Sequence, residues 1–473
     1  MGALKDPHEF FNEDQPSNAP PFSQKLREDF ANGSQQAQNP DGGALDEHAT
    51  ETQLAGLLQL KLPPLRCVSR DWFAYRHGVW EKTSNDEFAP LALSIQHIKS
   101  RTAQKATNIL KHVELANQVT GDDLRSFHFE ANGKIFINCA NCVLAVSASG
   151  KELRELPHSE TYLFTRQMAA NYNRDATCPH FDAALQAALP DEADIELFRF
   201  FAGYILLPDS RHELALVCFG ETRTGKGTVS AGIEAALGDR LVTAISLSQL
   251  SNPENKNLAK LAGAALNLSC ELDAVEVTSE FFKQLVSGEP IDVDRKYRDS
   301  ISLRSTCKFM FSANHLPRFK TGTDAELRRL CFLRFAHQVQ NPDETLKDRI
   351  RAEADGVFLF MVDGLRALLA SRKFPTGGVQ SIQTREQFRL QNDPVNAFIE
   401  RECRLGLNFK TQKDQLYQAY TKFCDDNSLY HAEGNSWFFR QLFTRYPNLK
   451  TKRASLDGHR FHEIEGIELK NCN

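Results

Sequence analysis

The chain has 473 residues, 41% of them hydrophobic and 25% charged, with a formal net charge of −5. This composition supplies ample core material and excludes a fibrous protein, a fully disordered one and a disulfide-stapled mini-domain. The charge is uneven: residues 1–60 hold ten acids and three bases, which leaves the rest at +2 and keeps a local basic surface for nucleic acid open. The length predicts about three domains. No window holds eighteen consecutive apolar residues, so no transmembrane helix and no membrane partner are expected. The N-terminus has no apolar signal-peptide core, and Asp6 stands where a myristoylation motif needs Ser or Thr. Eleven cysteines, an odd number scattered through apolar runs, predict a reducing, cytoplasmic setting.

In chain order, residues 1–50 are rich in Asn, Gln, Asp, Pro, Gly and Ser and read as a disordered acidic arm. Residues 51–205 read as an α+β unit: a helix near Leu54–Leu60, an aromatic cluster at Trp72–Tyr75 and Trp80, helical sequence through 88–120, a hairpin at 134–146 and a helix over Asp194–Leu206. Residues 206–375 alternate continuous apolar strands (214–219, 264–269, 309–312) with helical runs, the pattern of a parallel sheet covered on both faces. A helix over 356–371 closes this α/β core. Residues 376–394 read as a linker. Residues 395–473 read as a small domain with helices at 395–405, 412–426 and 434–445 and a hairpin through 450–469.

The most specific feature is Gly220-Glu221-Thr222-Arg223-Thr224-Gly225-Lys226-Gly227-Thr228, between a strand and a helix. In that context it reads as a P-loop: its glycines let successive N–H groups point at phosphate oxygens, the helix N-terminus adds its dipole, and Lys226 reaches the β- and γ-phosphates. The expected cofactors are a nucleoside triphosphate, taken as ATP, and Mg²⁺. Gly227 stands where the strict motif has a metal-binding hydroxyl, so Thr228, directly or through water, is the nearest candidate. The next strand ends at Glu271 and Asp273, suited to polarising a water and to holding the metal. The third ends at Asn314, whose amide can bond a γ-phosphate or water, or form a turn before Pro317. Arg328 and Arg329 follow. One of them suits a finger reaching a neighbour's phosphate; a solvated helix face is the alternative.

The order of loop, Glu-ended strand, basic hairpin, Ala313-Asn314-His315-Leu316-Pro317 and Arg-Arg resembles the phage/plasmid and poxvirus primase-helicase group of the superfamily 3 helicases, within the AAA+ ATPases. The resemblance extends to Tyr172–Phe181, Gly203-Tyr204, Gly356–Gly364 and Asn392–Ile399, and covers about residues 70–470. It implies an AAA+ core preceded by an oligomerisation domain and followed by a winged helix. It also implies a homo-hexameric ring that hydrolyses ATP between subunits and moves 3′ to 5′ on single-stranded DNA at a fork. The hairpin 291–303 would carry the pore tip, with Arg295, Lys296, Tyr297 and Arg298 on DNA, and Lys283 matches a basic position of the family. In the C-terminal domain, residues 408–462 carry a net +4, and Lys450, Lys452 and Arg453 suit a basic wing on duplex phosphates.

The leading reading is thus a replicative helicase of a mobile element. An origin-binding or loader ATPase switch is a second reading, and a nucleotide kinase a third. Cys139 and Cys142 form a lone CxxC, read as core cysteines and not as zinc ligands. Residues 1–210 carry no primase motif, so any priming falls to a separate primase or polymerase.

Overall fold

The structure is a computed structural model that describes residues 48–470 except 69, 120–123, 270–275, 278, 296–297, 320–327, 341–342, 428, 430–433 and 457–458. The expected arm therefore lies almost wholly outside the described residues. It ends by Thr50, whose side chain forms a capping box with Gln53 and starts helix α1 (Glu51–Gln59).

The N-terminal unit continues with an antiparallel sheet of β1 (Leu65–Val68), β2 (Asp71–Arg76) and β3 (Val79–Thr83). Helices α2 (Asn85–Ser94) and α3 (Ala103–Ala116) replace the single helical stretch expected over 88–120; α1, α2 and α3 close one core with Trp72. A four-stranded antiparallel sheet follows: β4 (His128–Ala131), β5 (Lys134–Asn138), β6 (Val143–Ser147) and β7 (Leu153–Leu156). Helices α4 (Pro179–Ala188) and α5 (Glu192–Ile205) lead into the α/β core.

The core strands are β8 (Ala215–Phe219), β9 (Val242–Thr243), β10 (Leu266–Ser269), β14 (Lys308–Ala313) and β16 (Leu330–Arg334), all parallel in the order β16-β8-β14-β10-β9. Between β10 and β14 come β11 (Glu276–Val277), then the antiparallel pair β12 (Pro290–Arg295) and β13 (Arg298–Arg304). The two-residue β15 (Arg318–Phe319) pairs with β11. Helices α6 (Lys226–Leu237), α7 (Leu247–Leu250), α8 (Ser279–Ser287), α9 (Leu346–Ala352) and α10 (Ala354–Ser371) complete this region. The mixed α/β class and the parallel sheet agree with the sequence pattern. Strands β9 and β16 are additions to it.

The expected linker 376–394 is mostly helix α11 (Val379–Asn392). Its sequence is largely polar, but Phe388 is fully buried and its ring lies 5.0 Å from Phe332 and 6.0 Å from Phe319, which fixes the helix against β16. The C-terminal unit contains α12 (Pro394–Glu402), α13 (Lys413–Asp426) and α14 (Asn435–Arg445) with a sheet ordered β17-β19-β18 (Cys403–Gln412, His459–Leu469, Lys450–Leu456). Residues 403–405, read as the end of a helix, open β17 instead, because Cys403 and Leu405 pair with Leu469 and Ile467.

Two of the contacts that tie the N-terminal unit to the core bear on the site. Helices α5 and α10 cross with backbones touching: a Cβ on Gly203 would lie 2.1 Å from Leu365 N, and one on Gly364 would lie 2.0 Å from Arg199 O. The second contact is the Leu207 carbonyl, which accepts from Lys308 Nζ at 3.0 Å and lies 3.0 Å from His128 Nε2. Lys308 also donates to Thr306 O at 2.5 Å and sits over the Tyr204 ring. Burial, helped by the Lys308 charge, pushes His128 down to about 3, and burial pulls Lys308 down to about 8.

Gly364→Ala is expected to destabilise the protein by about 3 kcal/mol or more, since no side-chain rotation relieves a backbone clash; urea unfolding measures it. The Leu207 contact predicts a pH signature. Below the ordinary histidine pKa the unfolded chain protonates His128 and the fold does not, so stability falls with acid, by about 1.4 kcal/mol per pH unit for one group. Between pH 8 and the ordinary lysine value the unfolded chain holds the Lys308 proton more tightly, so stability rises with pH. Melting curves of His128→Gln and Lys308→Met should lose the acid and alkaline limbs respectively.

Candidate functional site

Because every core strand runs the same way, all their C-terminal ends share one edge. The glycine-rich loop leaves β8 there and turns into α6. Residue 225 must adopt φ +90°, which only glycine takes without cost, and Arg223 takes the left-handed φ of 62° beside it. A Cβ on Gly220 would meet Phe335 O at 2.1 Å, so the loop can approach the neighbouring chain only with glycine there.

The loop is braced on three sides. From β14, Ala313 O accepts from Gly220 N–H at 2.9 Å. From the segment after β16, Phe335 N–H donates to Phe219 O, Val339 N–H to Arg223 O, and Gln338 Nε2 to the Glu221 carboxylate at 2.8 Å. Behind it stands α4, whose Ala188 would be 3.0 Å from a Cβ on Gly225. Helix α4 is itself capped by Glu353, which accepts from the His180 and Phe181 N–H groups at 3.1 and 3.0 Å and pairs with His180 Nδ1 at 2.5 Å.

Inside the loop, buried Lys226 donates from Nζ to Gly220 O at 2.5 Å, Glu221 O at 2.6 Å, Thr224 Oγ1 at 3.4 Å and Asn314 Oδ1 at 3.2 Å. Lys226 and Asn314, 88 residues apart, therefore meet. Burial, reinforced by the Arg334 charge, pulls the Lys226 pKa below the ordinary lysine value. Thr222 is exposed, and Thr224 Oγ1 donates to Glu221 O at 2.8 Å.

Two further cations stand here that the sequence reading did not single out. Arg334, at the end of β16, lies over the Phe219 ring at 4.5 Å. Lys347, at the start of α9, has its Nζ 3.7 Å from where a Cβ on Gly227 would be. Adjacency to β8 marks Arg334, but only once β16 is known as a strand; nothing in the sequence marks Lys347.

The arrangement fits a polyphosphate: N–H groups open at the start of α6, and Lys226, Arg334 and Lys347 stand around the loop. Toward Mg²⁺, Thr228 in the first turn of α6 offers a hydroxyl, Gly227 offers none, and the Glu221 carboxylate is turned to Gln338. Glu271 and Asp273 lie outside the described residues. Among the described residues no cluster of three metal-ligating side chains occurs, and Cys139 and Cys142 are free and buried.

The remaining expected residues are dispersed. Lys283 is half-buried on α8. Arg295 ends β12 and pairs across with Arg298, the first residue of β13; Lys296 and Tyr297 between them lie outside the described residues. On β18, Lys452 lies 3.2 Å from Glu465, Lys450 stands opposite Glu465 in the ladder, and Arg453 is exposed opposite His462. Arg328 and Arg329 sit just before β16, at the sheet's other edge from the loop. Arg328 is exposed, whereas Arg329 donates to Ser287 Oγ and pairs with Glu213 at 3.0 Å.

Residues 61–190 match a family described as D5 N terminal like, and residues 218–329 match a family of unknown function, DUF5906. The first overlaps the region where the sequence resemblance lies upstream of the loop; the second spans the loop, Asn314 and both arginines. Among solved structures, the A form apo structure of the NrS-1 C terminal region is similar at 12% identity with a TM-score of 0.50, covering 87% of this chain and 98% of that one. A second apo structure of that region gives 13% identity, the same TM-score and the same coverage. At this identity the likeness is one of fold. No curated protein matches the chain. No described helix is long and apolar enough to cross a membrane.

The two arginines are expected to separate in a mutational test. Arg329→Ala removes an internal ion pair and should lower stability by about 1 kcal/mol, whereas exposed Arg328→Ala should stay within about 0.5 kcal/mol of wild type in chemical denaturation.

Proposed function

We propose that this chain is an ATP-driven DNA helicase of the superfamily 3 type, working as a homo-hexameric AAA+ ring in the replication of a mobile genetic element. The observation that carries this reading is the bond from Lys226 Nζ to Asn314 Oδ1. A loop lysine beside an amide at the tip of the neighbouring parallel strand is an arrangement for gripping and sensing a terminal phosphate. The D5 N terminal like match and the fold shared with the NrS-1 region support a phage-type primase-helicase.

In this reading Lys226 exchanges its loop carbonyls for the β- and γ-oxygens of ATP. Its depressed pKa reflects a site that already strips water from the cation. Asn314 holds the attacking water or the γ-phosphate, and Arg334 adds charge at the end of β16. Glu271 polarises the water, and Arg328 reaches the next subunit's site, since Arg329 is committed to Glu213. A magnesium ion, when bound, neutralises phosphate charge; Thr228 and Asp273 are its candidate holders. The hairpin of β12 and β13 carries the strand-tracking cations Arg295, Lys296 and Arg298, with Lys283 behind it. The C-terminal unit acts as a winged helix on duplex DNA.

Steady-state ATP hydrolysis tests the reading. Single-stranded DNA should stimulate wild type, and Lys226→Ala should fall by at least 100-fold with or without DNA. Asn314→Ala should retain nucleotide binding while losing about 10- to 100-fold in turnover, the scale for one lost transition-state contact. Hydrolysis indifferent to DNA would overturn the motor.

A further inference from the structure

A second cationic site lies away from the loop, at the β9 edge of the parallel sheet. A cleft of about 650 Å³ opens between the N-terminal unit and the core, lined by Arg166, Arg240, Lys260, Thr243, Gln249 and Asn257 among others. The described residues that line it include three cations, no carboxylate and no aromatic ring.

The walls are held in place. Arg166 is half-buried and donates from Nη1 to Arg240 O at 2.6 Å and from Nη2 to Ala262 O at 2.7 Å. Its guanidinium packs over Gly263, where a Cβ would lie 3.0 Å from Nε. The opposite wall, residues 243–245, is gripped by buried Asn267 of β10. Its Oδ1 accepts from Thr243 Oγ1 at 3.0 Å and Ile245 N–H at 2.8 Å, and its Nδ2 donates to Ile245 O at 2.9 Å. Arg240 and Lys260 are exposed at the mouth, with Glu81 3.6 Å from Arg240 as the acid at the rim. Burial, with the Arg240 charge, lowers the Arg166 pKa below the ordinary arginine value.

We infer that this cleft binds the phosphodiester backbone of single-stranded DNA, as a phosphate site separate from the glycine-rich loop. Arg166 is fixed by its two backbone carbonyls with N–H groups to spare, and the exposed Arg240 and Lys260 add charge at the mouth, a set that suits phosphate oxygens. With no ring to stack a base, the lining suits a backbone better than a free nucleotide, and makes binding independent of sequence. The choice of nucleic acid as the source of the phosphate rests on the proposed function; the chemistry of the cleft does not. Through Asn267, the cleft wall is fastened to β10 of the parallel sheet.

Fluorescence anisotropy with labelled oligo(dT), the full chain and no nucleotide tests this. Arg240→Gln with Lys260→Gln should weaken binding about tenfold at low salt and flatten the log Kd–log salt slope by about 1.4, two contacts at about 0.7 each on a single strand. Thermal melting and binding of a fluorescent ATP analogue should stay at wild-type values, which keeps this test apart from that of the loop. An unchanged affinity and slope would overturn the assignment. So would displacement of DNA by millimolar ATP or pyrophosphate in a Lys226→Ala background, which would make the cleft a free-nucleotide site. If wild type binds ATP but no oligo(dT), the cleft reading falls while the loop reading stands.

Discussion

The constraint on which the rest depends is the direction and order of five strands. A parallel sheet sends every strand's C-terminal end to the same edge, and the order β16-β8-β14-β10-β9 seats β8 between two strands whose ends bear polar groups. Lys226 can meet Asn314 only because β14, not the sequence-adjacent β9, is hydrogen-bonded to β8. The same adjacency on the other side brings Arg334 onto Phe219 and the following segment onto the loop. An antiparallel partner in either position would send these groups to the opposite edge, about five residues or 17 Å away.

That sheet edge is rigid because helices back it. The Gly203–Gly364 crossing lets α5 and α10 approach to backbone contact, and a Cβ on Gly356 would lie 2.3 Å from Thr177 O. Glu353, in the turn between α9 and α10, then reaches the open N–H groups of α4, whose far end supports Gly225. A carboxylate at a helix N-terminus answers both the unpaired donors and the dipole. The N-terminal unit thus backs the loop, and the two family matches, over 61–190 and 218–329, touch where Ala188 meets Gly225.

The sequence made the loop, β8, β10, β14 and the long helices legible because each has a strong local signal: glycine spacing, continuous apolar runs, or 3.6-residue periodicity. Strand β9 was not legible because two residues carry no period, and β17 because its alternation is broken by a shift in register between Leu405 and Lys410. Helix α11 was hidden by composition: the segment's polarity reads as a linker, and one aromatic, Phe388, supplies much of its anchorage. Within the site, loop residues were legible and partners were not. Arg328 and Arg329 are equivalent as text, and only the approach of Glu213 and Ser287 tells them apart. Arg166 and Arg240 lie 74 positions apart, and no local pattern joins them.

Strands β10 and β14 give these separate contacts a common mechanical basis. Strand β14 begins with Lys308 on the Leu207 carbonyl and ends next to Asn314 on Lys226. Strand β10 holds the 243–245 wall through Asn267 and is paired in register with β14 from Leu266 to Ser269. The β14 tip beside Lys226 and the Asn267 anchor of the cleft wall therefore sit on one hydrogen-bonded strand pair inside a closely packed interior. In the proposed function a phosphate at Lys226 competes with Asn314 for the lysine, and Asn314 follows directly on the strand paired with β10. The N-terminal unit grips β14 at its start and contributes Arg166 to the cleft beside β10, so the loop and the cleft are connected through two paired strands rather than through a flexible linker.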